Sequence, residues 1–494
     1  MDQSNQKHAE EPIIINKYLS LWEALIPIIV LIAILAYNVY IYESDATSGP
    51  NQFALIIGGA VAAIIGFRNK ISYSKMIEEI SENIKSTAGA ILILLMVGAL
   101  SGTWLLSGII PTMIYYGMQI LHPSFFLPAC LIICSIISIA TGSSWTTSAT
   151  VGIALIGIGT TMGMPLGMVA GAVVSGAYFG DKLSPLSDTT NLAPAMAGTD
   201  LFTHIRYMTI TTIPTMVLTL ILFIILGLMQ DTSLVTNDGT TLAAIKETFY
   251  VTPLLFIVPL MVIILIVKKT EPLIALLVGI LLGGVFALIF QPDLVAKIGG
   301  GTQLNFVSGY KGVMNAITVD TSIETSNALL NELFAAKGMQ GMLGTVWLIL
   351  CAMVFGGIME AIGALSRITD SLLKMFHSVF GLFASTVASC LTLNLTASDQ
   401  YLAIVVPGKM FAKAYKDKGL APENLSRTLE DSGTVTSVLI PWNTCGAYHA
   451  GVLGVSTFSY LPYAFFNIIS PFMTLLYAAF NIKIKQLTAN SKTI

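Results

Sequence analysis

Gly180-Asp181-Lys182-Leu183-Ser184-Pro185-Leu186-Ser187-Asp188-Thr189-Thr190-Asn191-Leu192-Ala193-Pro194 decides how this chain is read. It continues directly from an apolar run, Leu166 to Phe179, that reads as a membrane helix. Prolines remove backbone donors and break helices. In lipid such a break is tolerated only where the freed groups face protein or a water-filled cavity. An ionisable side chain at the bilayer centre costs about 3 kcal/mol on insertion scales, so Asp181 and Asp188 mark a candidate site. The plain alternative is a polar loop outside the membrane.

The composition favours the membrane. Of 494 residues, 55% are apolar and 10% charged, with a mean hydropathy of +0.80. Soluble domains carry about 25% charged residues, so this is a polytopic membrane protein. A net charge of −3 without a basic stretch argues against nucleic acid as a partner. Cys130, Cys134, Cys351, Cys390 and Cys445 sit in apolar segments without metal-type spacing, and packing explains them. The N-terminus is acidic and mixed, so the first apolar run does not read as a removable signal.

Residues 1–17 form a polar tail. Apolar spans follow at about 20–42, 52–67 and 88–109, with an interfacial helix expected over Arg68–Lys85. The next span, from about 124, is interrupted by Thr-Gly-Ser-Ser-Trp-Thr-Thr-Ser at 141–148 and resumes to 160. A span at 207–229 closes the first half. After a polar loop come spans at 249–267 and 272–290, a polar connection from 291 to 339, and a span at 341–363. Apolar sequence from about 379 is broken by Thr-Leu-Asn-Leu-Thr-Ala-Ser-Asp-Gln at 392–400. A second break, Pro441-Trp442-Asn443-Thr444-Cys445-Gly446, precedes a last span at 460–482.

The halves match at an offset of 250: Thr146 falls on Thr396, Ser148 on Ser398 and Asp181 on Asp431. Lys and Arg stay cytoplasmic, which places Arg68–Lys85, Arg206, Lys268–Lys269, Arg367–Lys374 and Lys409–Lys418 inside, and 43–51, 110–123 and 230–247 outside. These assignments agree only if the hairpins at 124–160 and 379–412 enter and leave on one side. Each half then crosses five times, which inverts the second half. The expected fold class is an all-α polytopic membrane protein with two inverted-topology repeats, about ten transmembrane helices, two re-entrant hairpins and discontinuous helices. The first repeat spans 18–229, the inter-repeat loop 230–248, the second repeat 249–482 and the C-terminal tail 483–494, with both termini cytoplasmic.

Asp181, Asp188, Asp399 and Asp431 lie in or beside breaks, and Glu360 sits inside an apolar helix. Around them cluster Ser143, Ser144, Thr189, Thr190, Asn191 and Asn443, among other hydroxyls and amides. Hard cations take oxygen ligands. One aspartate can accept H⁺ or Na⁺ but not both, and that competition couples two fluxes. Asp188, with Thr189, Thr190 and Asn191 beside it and no adjacent cation, is the better ion ligand; Asp188, Thr189 and Asn191 would contact the metal ion. Asp181 can instead pair with Lys182, Glu360 can partner Lys182 or a backbone break, and Asp399 can cap a half-helix. Of the histidines, His8 and His204 look like loop residues, His377 a helix-end residue and His122 a turn neighbour; His449 alone is placed to titrate. No nucleotide-binding loop or Gly-x-Ser-x-Gly is present. No cofactor and no enzyme activity are expected.

The 180–194 stretch resembles the signature of the NhaC-type sodium/proton antiporter family. So do Gly102-Thr103-Trp104, Pro111-Thr112-Met113-Ile114-Tyr115-Tyr116-Gly117, Leu429-Glu430-Asp431-Ser432-Gly433-Thr434-Val435-Thr436 and Ile440-Pro441-Trp442-Asn443-Thr444-Cys445-Gly446. The resemblance implies a bacterial inner-membrane exchanger of the ion-transporter superfamily, with inverted repeats and re-entrant hairpins. Na⁺ and H⁺ would be its cargo, lipid its surroundings and a homodimer a plausible assembly. The same family includes exchangers of malate and protons for lactate and sodium. Lys182 is the deep motif cation an organic anion could use, and this thinness of positive charge favours Na⁺/H⁺ exchange. A passive channel needs no paired half-sites, and an intramembrane enzyme would need a nucleophile–base or metal cluster.

Overall fold

The computed structural model describes residues 19–42, 46, 49–230, 240–268, 270–326, 330–331, 334–375 and 378–487. The expected 1–17 tail, residues 231–239 of the inter-repeat loop, Lys269, His377 and residues 488–494 lie outside these.

The described chain is mostly helical, and eight helices are long and apolar enough to cross a membrane, or ten if two bent pairs each form one span. The bent pairs are Thr241–Thr248 with Pro253–Val267 (83°) and Thr457–Tyr463 with Phe465–Ala479 (54°). Proline sets the first turn of Pro50–Arg68, Pro123–Thr141 and Pro272–Phe290, where its fixed φ suits a helix start and its missing donor costs nothing.

Several expectations are corrected. Arg68–Lys85 holds no separate interfacial helix: Tyr73–Leu106 is one helix of 34 residues, capped by the Ser72 hydroxyl, with its charged first turns exposed and its later turns buried. That span ends at Leu106 because Gly108 adopts φ 80°, and the supposed loop beyond it is the helix Ile109–Ile120. The polar connection 291–339 folds into Pro292–Ile298, Phe306–Thr318 and a small antiparallel pair, Thr321–Ser322 with Ala335–Ala336. The chain is therefore not wholly α.

Polarity is arranged for lipid. On Leu201–Met229, Thr211, Thr215 and Thr219 recur every four residues and are fully buried, while Ile213, Val217, Leu218, Ile221 and Ile225 are exposed. Thr215 and Thr219 return their hydroxyls to the carbonyls of Thr211 and Thr215 within the same helix, while the Thr211 hydroxyl lies between the Met208 carbonyl and a carboxylate from another helix.

The helix carrying the central stretch, Leu166–Leu183, is pressed onto Pro123–Thr141 through two glycines. A Cβ at Gly176 would lie 2.3 Å from the Leu131 carbonyl oxygen, and one at Gly180 2.5 Å from that of Ser135. Small residues let membrane helices approach this closely, and Ser138 adds a hydrogen bond to the Ala177 carbonyl. This contact fixes where Asp181 and Lys182 emerge.

At the other end of the chain, residues 483–487 strap two helices together. The Tyr207 hydroxyl donates to the Lys483 carbonyl, Asn424 Nδ2 to the Lys485 carbonyl, and the Leu487 amide to the Gly419 carbonyl. Lys485 also pairs with Glu423.

Candidate functional site

The predicted break is present. Leu166–Leu183 stops at the extended Ser184, and Asp188–Ala197 restarts behind Ser187, whose hydroxyl accepts from the Thr190 amide. The polar residues here close the break. Thr190 Oγ1 donates to the carbonyls of Asp181 (3.2 Å) and Lys182 (3.1 Å), and Asn191 Nδ2 to those of Pro185 and Ser187. Thr189 meets the Ser187 hydroxyl at 3.2 Å. Asp188 is exposed, in the first turn of the second helix.

The interruption at 141–148 is also real. Gly142 takes φ 70°, and Ser143 is extended and caps Ser144–Thr147 by accepting from the Thr146 amide. Asp181 docks here: the Ser144 amide (3.1 Å) and hydroxyl (2.7 Å) both donate to its carboxylate, 8% exposed. The partial positive charge of a helix start favours an anion. Asp181 is therefore not the partner of the neighbouring Lys182.

Lys182, fully buried, forms its ion pair with Asp431 and touches the Ser470 hydroxyl at 3.3 Å. Asp431 also accepts from Ser470 (3.1 Å), Thr211 (2.9 Å) and Thr474 (2.7 Å). Three helices thus supply donors to one carboxylate, which suits a buried charge. The pair joins the break at 181–188 to a π-helical turn, Glu430–Thr434, in the second half. Trp145 stacks on Tyr448 at 3.9 Å, and Tyr448 donates to the Trp145 carbonyl, tying the interruption at 141–148 to the helix Thr444–Leu453.

Around that turn, side chains from elsewhere take up the backbone. Asn394 Nδ2 donates to the Gly433 carbonyl (2.7 Å), Asn467 Nδ2 to that of Val435 (2.8 Å) and the Tyr460 hydroxyl to that of Val438 (2.7 Å). Asn443 caps Thr444–Leu453 and donates to the Asn394 carbonyl. Asp399 is the cap of Gln400–Asp417, accepting from the amides of Tyr401 and Leu402. Asp181, Asp188 and Asp399 all lie within electrostatic reach of the Tyr401 hydroxyl. Glu360 is half-buried near the end of Leu343–Ala361, one turn beyond Gly356, where a Cβ would meet the Ala397 carbonyl at 2.5 Å. His449 is buried, its Nδ1 2.8 Å from the Cys445 carbonyl. His204 is buried in Leu201–Met229, not in a loop.

Sequence reasoning passed over Glu430, Arg427, Thr211, Ser470 and Thr474. Glu430 adjoins Asp431 in a quoted motif and was readable as a charge in an apolar context. The inward threonines and serine carry no signal until the helices are packed. Among the described residues no three of His, Cys, Asp and Glu converge to hold a resident metal; Na⁺ would be cargo.

Residues 176–482 match the model of the Na⁺/H⁺ antiporter family. The chain is 36% identical, over 94% of its length and 96% of the relative's, to the Na⁺/H⁺ antiporter NhaC of Alkalihalophilus pseudofirmus. It is 38% identical to a Bacillus subtilis protein of the same description, over 86% of this chain and 91% of that one. A malate-2H⁺/Na⁺-lactate antiporter of Bacillus subtilis is 37% identical over 87% of this chain and 89% of its own.

Proposed function

The chain belongs to the Na⁺/H⁺ antiporter family, and from that premise we propose that it exchanges Na⁺ for H⁺ by alternating access, at acidic oxygens gathered where interrupted helices meet. One observation carries the reading. The buried Lys182–Asp431 pair brings a helix break from each half to one place, with Asp181 held beside it on a helix start. Such a place is dry enough to make a bare charge costly and polar enough to hold a partly dehydrated cation.

Roles follow from exposure. Asp188, exposed at the break and flanked by Thr189 and Asn191, receives Na⁺ or H⁺ first; Asp181 and Asp399, deeper and hydrogen-bonded at helix starts, line the way in. Lys182 and Asp431 neutralise each other and keep the halves in register. We place the protein in the bacterial inner membrane with cytoplasmic termini and read its halves as inverted repeats around re-entrant hairpins. Asp188→Asn is expected to abolish Na⁺-dependent proton movement in proteoliposomes, followed by dye quenching; exchange at the wild-type rate would remove Asp188 from the mechanism.

A second reading, Na⁺-coupled exchange of organic anions, draws on Arg427. This guanidinium is fully buried, and none of its nitrogens has a hydrogen-bond partner. Adding Na⁺, Li⁺, K⁺, malate or lactate in turn to loaded proteoliposomes separates the readings: quench recovery on Na⁺ alone supports cation exchange, and a requirement for malate or lactate supports the other.

A further inference from the structure

Glu430 has no task in the reading above. It opens the π turn Glu430–Thr434, is fully buried, and neither of its carboxylate oxygens has a hydrogen-bond partner. The Thr434 hydroxyl, at the other end of the same turn, lacks one too. Lys182, Asp181 and Asp431 are near enough to act on Glu430 electrostatically, but Lys182 is committed to Asp431 and Asp181 to Ser144. Arg427, three residues earlier, points its guanidinium over the Tyr207 ring at 4.7 Å and does not hydrogen-bond Glu430.

An ionised carboxylate sealed among protein atoms without a well-formed hydrogen bond or a paired cation is too costly to persist; a proton or a cation must neutralise it. Of the acids in this cluster, Asp431 receives four donors and Asp181 two, whereas Glu430 has only the Thr434 hydroxyl close by, outside good hydrogen-bond geometry. A π turn, a distortion that recurs at functional sites, sets the Thr434 hydroxyl on the same short stretch as the acid.

Resting on the antiport reading, we propose that Glu430 and Thr434 form a second monovalent-cation site, deeper than Asp188, in which H⁺ and Na⁺ displace one another. When Na⁺ arrives, the carboxylic O–H bond breaks, the proton leaves to water on that side, and the carboxylate and the Thr434 oxygen take the metal ion. Exit of Na⁺ reverses this. The site is neutral in both states, so the Lys182–Asp431 joint meets no net charge in either. Other titratable groups facing this region are His204, in electrostatic reach of Lys182 and Asp431, Cys390 against Ser432, Tyr415 near Arg427, and Asp188 at the start of the helix Asp188–Ala197.

The full-length protein in proteoliposomes, with thermal unfolding in NaCl against choline chloride, tests this. Glu430→Gln is expected to melt no lower than wild type in choline chloride, to show a clearly smaller rise in Tm with Na⁺ than wild type, and to lose Na⁺-driven proton movement. Thr434→Val should raise the half-saturating Na⁺ concentration several-fold with little change in maximal rate, and Glu430→Asp should retain exchange with a displaced pH profile. Exchange by Glu430→Gln at the wild-type rate and pH profile would overturn the proposal and leave the antiport reading intact. Should wild type itself not exchange, that reading fails, and the Na⁺-dependent Tm of wild type against Glu430→Gln still decides the site. Should Glu430→Gln not fold, an unchanged Na⁺ dependence in Thr434→Val overturns it.

Discussion

The two helix interruptions, at 141–144 and 396–400, are built alike and loaded differently. Each places one residue in the left-handed region, Gly142 (φ 70°) or Ser398 (φ 59°). Each follows it with an extended cap, Ser143 or Asp399, before the chain turns helical again. Each ends with a carboxylate on the exposed amides of the restarted helix. In the second interruption that acid is the cap itself; in the first it is Asp181, which arrives from another helix through space. Similar geometry thus reaches the same electrostatic result by local means on one side and tertiary means on the other. Moving Leu166–Leu183 would empty the first turn of its charge, and no such motion would empty the second.

The largest expected effect lies where the halves join. Asp431→Ala leaves Lys182 buried without its partner, and breaking such a pair costs about 3–5 kcal/mol. The variant should melt far below wild type and exchange nothing, whereas Lys182→Met with Asp431→Leu should recover much of the Tm without recovering transport. If Asp431→Ala melts normally, the halves are not joined by this pair.

Next come the left-handed residues. Gly142→Ala puts a side chain at φ 70°, 2.5 Å from Leu186 Cβ, and should cost about 1–2 kcal/mol from handedness alone. Ser398→Gly relaxes the matching position and should be neutral or slightly stabilising. Equal effects in thermal unfolding would mean that the turns are not equivalent in construction.

Smaller still is the loss of a local cap. Asp399→Ala should cost about 1 kcal/mol and leave the joint between halves in place, whereas Ser144→Ala, which removes one donor to Asp181, should change the pH profile of exchange more than the Tm.

Much of this was legible in the chain. Pro185, the glycine and serines at 142–144, and Asp399 with its neighbours announce breaks because prolines, glycines and short hydroxyl side chains act on their own backbone. Partnerships across sequence were not legible. Asp181 and Lys182 are adjacent in the chain, yet on a helix successive side chains point about 100° apart, so each found a different neighbour. The offset of 250 matched Asp181 to Asp431, but the two caps, Ser143 and Asp399, are 256 apart. The offset of 250 is therefore not kept at the two caps. The helix Ile109–Ile120 was missed because only Ser107 and Gly108 part it from the apolar span before it, and those within 292–318 because they lack the long apolar run by which a span is recognised.

The strap at 483–487 has a practical side. It stitches Tyr207 to Asn424 by way of the last described residues, so a fusion partner or purification handle spliced directly after Leu487 would tug on two helices that enclose Arg427. A protease clip at Lys485 would cut the same stitch. Handles for labelling or capture belong at the opposite end of the chain, or behind a long spacer.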